Sequence, residues 1–496
     1  MATDSAEYRK VFKGISLFGG VQVYNVIISL IRGKIIAQFL GSEGMGLSGL
    51  YVSSLTILIT LAGLGCNLSA VRYISVLQKN TIEYYRLIFI TKKIFLVLSL
   101  AGLFITLMLA YPLSVFTFDN TKHIISYFLL SLYVFFTLYN QGQSAILQAM
   151  QELKAIALGN IIPSTLFLIV SIPIYYYFEL TAIVPMLILS SLLGFIYMYF
   201  VLTNRLKRIE FYEPKIPRGE LINVIKKFVG LGLITVLASV LGNIASYIIN
   251  TFISHSGSFS DVGLYNAGIS ITNQYIGLVF AAMAVDYFPR LVSACMDVKK
   301  MNETINYQGE IIMLLGAPLL SLLMLTAPLC IKILLTDEFM TINGFIRILS
   351  YGMVFKIASY CLGYVSFAKG DKKTYFWLEG VVSNILTIAL NCLGYYFMGL
   401  RGVAISFCVI YFVYLCVIML YVRKKYGVIL TNTFFSLILL FSISLTILLI
   451  LTEFMQQSLI TIILSVVLSL ILCVFSLRQL NQKIGFIDLI KSKINK

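Results

Sequence analysis

Long apolar runs recur from residue 11 to residue 477, and a helix crosses a bilayer in about 20 apolar residues. A chain built this way has lipid as its solvent. Inside lipid each segment must satisfy its own backbone hydrogen bonds, so these runs can only be helices. They predict about fourteen spans, at roughly 11–39, 47–76, 84–110, 122–148, 155–178, 181–203, 221–253, 262–292, 305–334, 341–368, 374–398, 401–422, 431–452 and 457–477. The expected fold class is an all-α integral membrane protein. Composition agrees: 59% of the 496 residues are hydrophobic and only 12% are charged, where globular domains carry about 25%. The loops are short, and no soluble catalytic domain fits among them. The first run is too long for a signal-peptide core and no small-residue cleavage site follows it, so it is expected to stay as the first span.

The formal net charge is +16. In a soluble chain such an excess would suggest nucleic acid; here it reports topology. With the N-terminus inside, the cytoplasmic segments collect clusters such as Arg9-Lys10-Lys13, Arg205 to Lys227, Lys369-Lys372-Lys373 and Arg423-Lys424-Lys425. The outer turns carry Glu43, Asp119, Glu179, Asp261, Asp337, Glu338 and Glu453 instead. Every alternate loop obeys the positive-inside rule. Both termini are expected to be cytoplasmic. The eight cysteines fall mostly inside apolar runs without a CxxC pair, and read as small packing residues. His123 and His255 are the only histidines, which argues against a zinc or iron centre.

The chain also repeats itself. "FLGSEGMGLSGLY" after the first span has a counterpart in "FISHSGSFSDVGLYNAG" after the seventh. "LQAMQELKAIALGNIIPS" has one in "SFAKGDKKTYFWLEGVVSN", with Asn160 and Asn384 at corresponding places. Both halves start in the cytoplasm and hold six spans, which makes them parallel repeats about an axis along the membrane normal. The expected layout is a six-span lobe over 1–204, a cytoplasmic linker 205–220 containing Pro214 and Pro217, and a second six-span lobe over 221–425. Two extra spans over 426–477 and a basic cytoplasmic tail over 478–496 follow. Two such lobes imply a cleft and alternating access.

Ionisable groups inside the membrane are costly and therefore functional candidates. The first span carries Arg32 and Lys34, with Arg32 sharing a helical face with Ser29 and Asn25. The tenth carries Arg347 and Lys356. Arg72 lies toward the inner end of the second span. Asn273 and Gln274 lie in the eighth, and amides crowd the fourth (Asn140, Gln141, Gln143, Gln148). The expected substrate-binding set is Arg32, Lys356, Arg347, Asn25, Arg72, Asn273 and Gln274; Asp286 and Glu310 are the coupling candidates. For Lys34 and Arg347, snorkelling to the outer interface stands beside the cavity reading. For Asp286, pairing with Arg290 one turn on stands beside coupling. A cavity rich in cations favours an anion, Arg suits phosphate oxygens, and amides suit sugar hydroxyls.

The "LGSEGMG" turn, the "GLGCNLSAVRYIS" end of the second span and the "DVGLYNAG" start of the eighth resemble the polysaccharide-transporter branch of the multidrug/oligosaccharidyl-lipid/polysaccharide exporter superfamily. Within it, the bacterial O-antigen translocases (Wzx-type flippases) are closest in character. The resemblance covers roughly residues 8 to 425. It implies a V-shaped two-lobe flippase that moves an undecaprenyl-pyrophosphate-linked oligosaccharide from the inner to the outer leaflet. Cavity cations would hold the pyrophosphate, polar groups the sugars, and bilayer lipid the tail. Drug-exporting relatives tend to carry an acid in the first span, where this chain has Arg32 and Lys34. Lipid II flippases share the layout and the cationic cavity, and stay open as an alternative. No cofactor is expected; a proton or sodium gradient or the membrane potential is expected to drive transport. The expected protein is a monomer that works beside polysaccharide polymerase machinery and binds no nucleic acid. A membrane-embedded glycan polymerase or sugar transferase is the competing class, but these usually need a sizeable extramembrane loop, and transferases often a DxD motif. The chain has neither.

Overall fold

The computed structural model describes residues 2–79, 81–207, 218–295, 297–455 and 458–484. Pro214, Pro217 and the end of the basic tail fall outside these residues. Every regular element described is helical: α1 (Ala2–Gly63), α2 (Cys66–Val76), α3 (Ile82–Met108), α4 (Ala110–Phe118), α5 (Ile124–Ala149), α6 (Leu153–Phe178), α7 (Ile183–Lys207), α8 (Arg218–Ser256), α9 (Phe259–Ala294), α10 (Val298–Leu334), α11 (Asn343–Ala368), α12 (Lys372–Tyr375), α13 (Ser383–Tyr426), α14 (Asn432–Leu449) and α15 (Leu459–Ile484). Short π-helices occupy Phe376–Val382 and Ile450–Phe454.

Among the described residues, nine helical stretches are long and apolar enough to cross a membrane. Three of them, Val23–Gly63, Lys154–Leu206 and Lys373–Tyr426, run to 41, 53 and 54 residues. At 1.5 Å per residue each is about two to three times the hydrocarbon thickness, and each is broken near its middle. The breaks are Gly41 (φ 65°), Glu179 (φ 47°) and Gly399 (φ 59°). The two glycines sit in the outer turns expected from the sequence, where a left-handed residue reverses the chain at no Cβ cost. The outward surfaces are apolar as well: on α15, Ile463, Val467, Leu470, Ile471 and Val474 all lack protein cover. In water such a face would be a liability; in hydrocarbon it is what the solvent requires.

By contacts the chain divides into two compact units, Met1–Gly263 and Leu264–Lys496. In the first, α5 is central, packed on α3 and α7. Gly142 of α5 lies directly under the Phe95 ring and Gly102 of α3 under Val134 and Leu138, the small-residue device by which membrane helices approach closely. α8 belongs to this unit because it is tied to earlier helices. Ser69 donates to the Phe228 carbonyl, Asn243 to Thr60 at 2.9 Å, and Tyr247 and Thr117 share a hydrogen bond of 2.6 Å. The contact boundary therefore lies one helix later than the 205–220 linker read from the sequence.

In the second unit α11 is the axle, buried along most of its length between α10 and α13. Gly352 of α11 meets Cys408 and Gly309 of α10 meets Phe434. Ion pairs at two places fasten the last helices. At one end, Glu453 bridges Arg347 and Arg401 at 3.3 and 3.2 Å. At the other, Lys483 pairs with Glu310 at 2.5 Å, and Thr431 donates to the same carboxylate.

Candidate functional site

The first unit contains a cavity of about 360 Å³. Four helices present one face each to it, and the spacing of the lining residues is helical throughout. From α1 come Asn25, Ser29 and Arg32. From α5 come Tyr133, Thr137 and Asn140, and from α6 Asn160, Ser164 and Phe167. α7 supplies Ser190, Ser191 and Gly194. The lining is polar although all four helices are otherwise apolar. Gly194 makes the room: a Cβ there would stand 3.1 Å from the Asn140 amide nitrogen.

Arg32 is the charge of this cavity. Its guanidinium lies over the Phe167 ring at 4.6 Å, a cation–π contact that steadies the cation without neutralising it. Among the described residues it forms no ion pair. Arg32 stands nine residues before the Gly41 break, roughly 13 Å along the helix axis. The Asn140 carbonyl oxygen is buried with no hydrogen-bond partner, an open acceptor beside the same space. The serines of α7 instead donate to their own helix, Ser190 to Leu187 and Ser191 to Ile188. A half-buried guanidinium with no counter-ion, facing a polar space, is chemically suited to an oxyanion.

The other residues singled out in the sequence fall into three groups. Asn25 joins Arg32 in the cavity. Lys356 and Asn273 meet in the second unit: the ammonium donates to the Asn273 carbonyl at 3.4 Å and faces the Tyr411 and Phe407 rings at 5.2 and 5.8 Å. Gln274 is the next residue on α9, half-buried, and Arg72 is exposed on α2. Arg347 and Glu310 are engaged in the ion pairs that hold the last helices. Arg347 neither snorkels nor lines the described cavity. It is 4% exposed and donates to the Met324 and Thr452 carbonyls as well as to Glu453. Arg290 donates to Gln308 at 2.8 Å; the Asp286 side chain lies outside the described ones.

Three features escaped sequence reasoning. Tyr133, Thr137 and the α7 serines carry no charge to mark them, although their shared helical face was legible. The aromatic roof over Arg32 needs tertiary contact between α1 and α6. Glu379 was passed over because it follows Lys372 and Lys373 closely, yet it lies within the apolar eleventh run and receives the Tyr414 hydroxyl.

A sequence profile of polysaccharide biosynthesis proteins matches residues 11–295. The lipid III flippase of Escherichia coli K12 is 21% identical over 402 residues, covering 80% of this chain and 95% of the relative. That of Shigella flexneri matches to the same extent. Among solved structures, an inward-closed lipid II flippase MurJ superposes with a TM-score of 0.69 at 15% identity, over 96% of this chain and 99% of that one. An outward-facing multidrug resistance MATE family transporter of the MOP superfamily superposes with a TM-score of 0.57 at 16% identity, over 84% and 98%. At such identities the superpositions speak for the fold alone. With the profile matching more than half of its length and apolar helices throughout, this chain is a multi-pass membrane protein that belongs to the polysaccharide biosynthesis protein family and has the fold of MOP superfamily transporters.

Proposed function

We propose that this protein is a flippase that carries an undecaprenyl-pyrophosphate-linked oligosaccharide, the repeat unit of a surface polysaccharide such as O-antigen, from the cytoplasmic to the outer leaflet. The observation that carries the reading is Arg32, a cation without an ion-pair partner among the described residues, held over Phe167 in a polar cavity between apolar helices. In this account the guanidinium takes pyrophosphate oxygens, Asn25 and Asn140 take sugar hydroxyls, and Lys356 with Asn273 offers a second polar station. Fourteen crossings, twelve in two six-span lobes and two beyond them, both termini cytoplasmic and alternating access complete it. The profile match and the names of the curated relatives support a lipid-linked glycan as cargo. Moving the pyrophosphate bare through hydrocarbon would cost many kcal/mol, so a fixed cation at depth is the part such a carrier needs.

Lipid II is the second reading, favoured by the superposition on a lipid II flippase. Two rescue experiments separate the readings. A strain lacking this protein should lose its surface glycan and regain it with wild type, while a cell depleted of its own lipid II flippase should not survive on this protein. Survival of the depleted cell makes lipid II the cargo; an undisturbed surface glycan in the deletion strain removes the leading proposal.

A further inference from the structure

Glu379 is an acid in an apolar run, and nothing in the account above uses it. It sits in the π-helix Phe376–Val382, about 8 Å inside the eleventh predicted span at 1.5 Å per residue. Its carboxylate accepts the Tyr414 hydroxyl from α13, and no Lys or Arg pairs with it among the described residues. The surroundings are built around it. Gly363 of α11 makes the room, since a Cβ there would lie 2.8 Å from the carboxylate oxygen. The Asn384 amide donates to the Glu379 and Gly380 carbonyls at 3.2 and 2.7 Å. π-Turns inside α-helices cluster at functional sites.

The matching sequence segment of the first half sharpens the point. Counting back five residues from Asn384 gives Glu379; the same count from Asn160 gives Ala155, which is buried. The acid is therefore an addition to the second half and not a requirement of the helix. A carboxylate held at depth with one hydroxyl donor and no cation is strongly disfavoured as an ion. Uptake of a proton from hydronium resolves the conflict: one O–H bond breaks in the donor, which leaves as water, one forms on the carboxylate, and no redox change occurs.

We propose that Glu379 is the proton-carrying site of this transporter, its carboxylate taking up one proton and releasing it once per cycle. The assignment rests on the transporter reading above. The titratable groups facing it among the described residues are Tyr414 from α13 and Tyr375 from α12, with Tyr364 of α11 beside Tyr375. None is a cation. The site is connected to a candidate binding group: Tyr411, one turn from Tyr414, faces Lys356, and Tyr360, one turn from Lys356, shares a hydrogen bond with Tyr364 at 3.2 Å. The proton and a bound anion can thus sense each other along the facing surfaces of α11 and α13.

The test is pH-difference infrared spectroscopy on the purified full-length protein in lipid nanodiscs, in choline chloride. Wild type should show a carboxylic-acid C=O band that titrates. Glu379→Gln should lose it, and Tyr414→Phe should move it to higher wavenumber because one hydrogen bond is gone. A band unchanged in Glu379→Gln overturns the proposal. So does loss of the wild-type band when sodium chloride replaces choline chloride, since the site would then take a metal cation. In cells, Glu379→Gln at normal abundance should lower glycan export at least tenfold; unchanged export overturns the coupling role. If wild type itself fails to restore export in the deletion strain, the flippase reading fails, and the infrared band still decides whether Glu379 carries a proton.

Discussion

Arg32 and Arg347 look alike in the sequence, each an arginine a few turns inside a span, yet their surroundings give them opposite uses. Arg347 is engulfed, with side-chain exposures of 5% and 10% for the pair it forms with Glu453, and its remaining donors reach backbone carbonyls. Arg32 has an aromatic ring on one side, a polar cavity on the other and no ion pair among the described residues. A buried cation with its acid is structure; a cation left without one is an invitation to an anion. The same contrast separates Glu310, which Lys483 neutralises, from Glu379, which a tyrosine hydroxyl meets and no Lys or Arg pairs with among the described residues.

The comparison can be broken most forcefully at Arg347. Arg347→Ala removes the buried one of the two arginines that Glu453 bridges, leaves the exposed Arg401 beside it and should cost about 3 kcal/mol, the lower end for a broken buried pair, seen as loss of membrane abundance and a lower melting temperature in detergent. Arg347→Lys should rescue poorly, because three separate acceptors are served by one fork. Arg32→Ala should do the reverse, leaving abundance intact while export falls about ten- to a hundredfold, as expected for losing charge-assisted hydrogen bonds worth about 1.5–3 kcal/mol. If both variants merely lose abundance, the distinction drawn here is wrong.

A smaller effect tests close packing where neither arginine is involved. The two Gly-Leu turns that mark the sequence repeat meet at Gly46 and Gly263. A Cβ on Gly46 would fall 1.8 Å from the Phe259 carbonyl oxygen, and one on Gly263 1.9 Å from that of Ser42. Either Gly→Ala change should cost about 1–3 kcal/mol through forced backbone shifts, measurable as a lower melting temperature. The smallest effect concerns the loop between α11 and α12. There the Lys425 ammonium holds the Asp371 carboxyl well below the usual carboxylate range, against the opposing effect of burial. A depressed folded-state pKa stabilises fully above the ordinary value near 4 and is lost as pH falls below it. Melting temperature should therefore be flat from pH 7 to 5 on this account and fall below about pH 4, and Asp371→Asn should remove that component of the fall.

Much of this was legible before any coordinates. The all-helical character follows from the apolar runs, with nine stretches long and apolar enough to cross a membrane among the described residues, and the breaks at Gly41 and Gly399 follow from glycines between apolar runs. Arg32 and Asn25 were legible as one face of one helix. The pairing of Arg347 was not, because Glu453 lies 106 residues further on and sits in an outer turn that looked like ordinary loop polarity. The attachment of α8 to the first unit was equally hidden: Asn243, Tyr247 and Phe228 reveal their partners only when the helices are packed. Glu379 shows the limit from the other side. Its depth was countable, but the tyrosine contact and the lack of a paired Lys or Arg among the described residues separate it from a residue of the neighbouring loop.

The central claim is that Arg32 holds the charged head of a lipid-linked glycan during its passage. The direct measurement is to label undecaprenyl-pyrophosphate oligosaccharides with an impermeant reagent in cells lacking this protein and in cells carrying wild type or Arg32→Ala at equal abundance. The account predicts intermediates confined to the cytoplasmic leaflet without the protein, released to the outer leaflet by wild type and still confined with Arg32→Ala. Intermediates that reach the outer leaflet without the protein, or that Arg32→Ala releases as well as wild type, would contradict it.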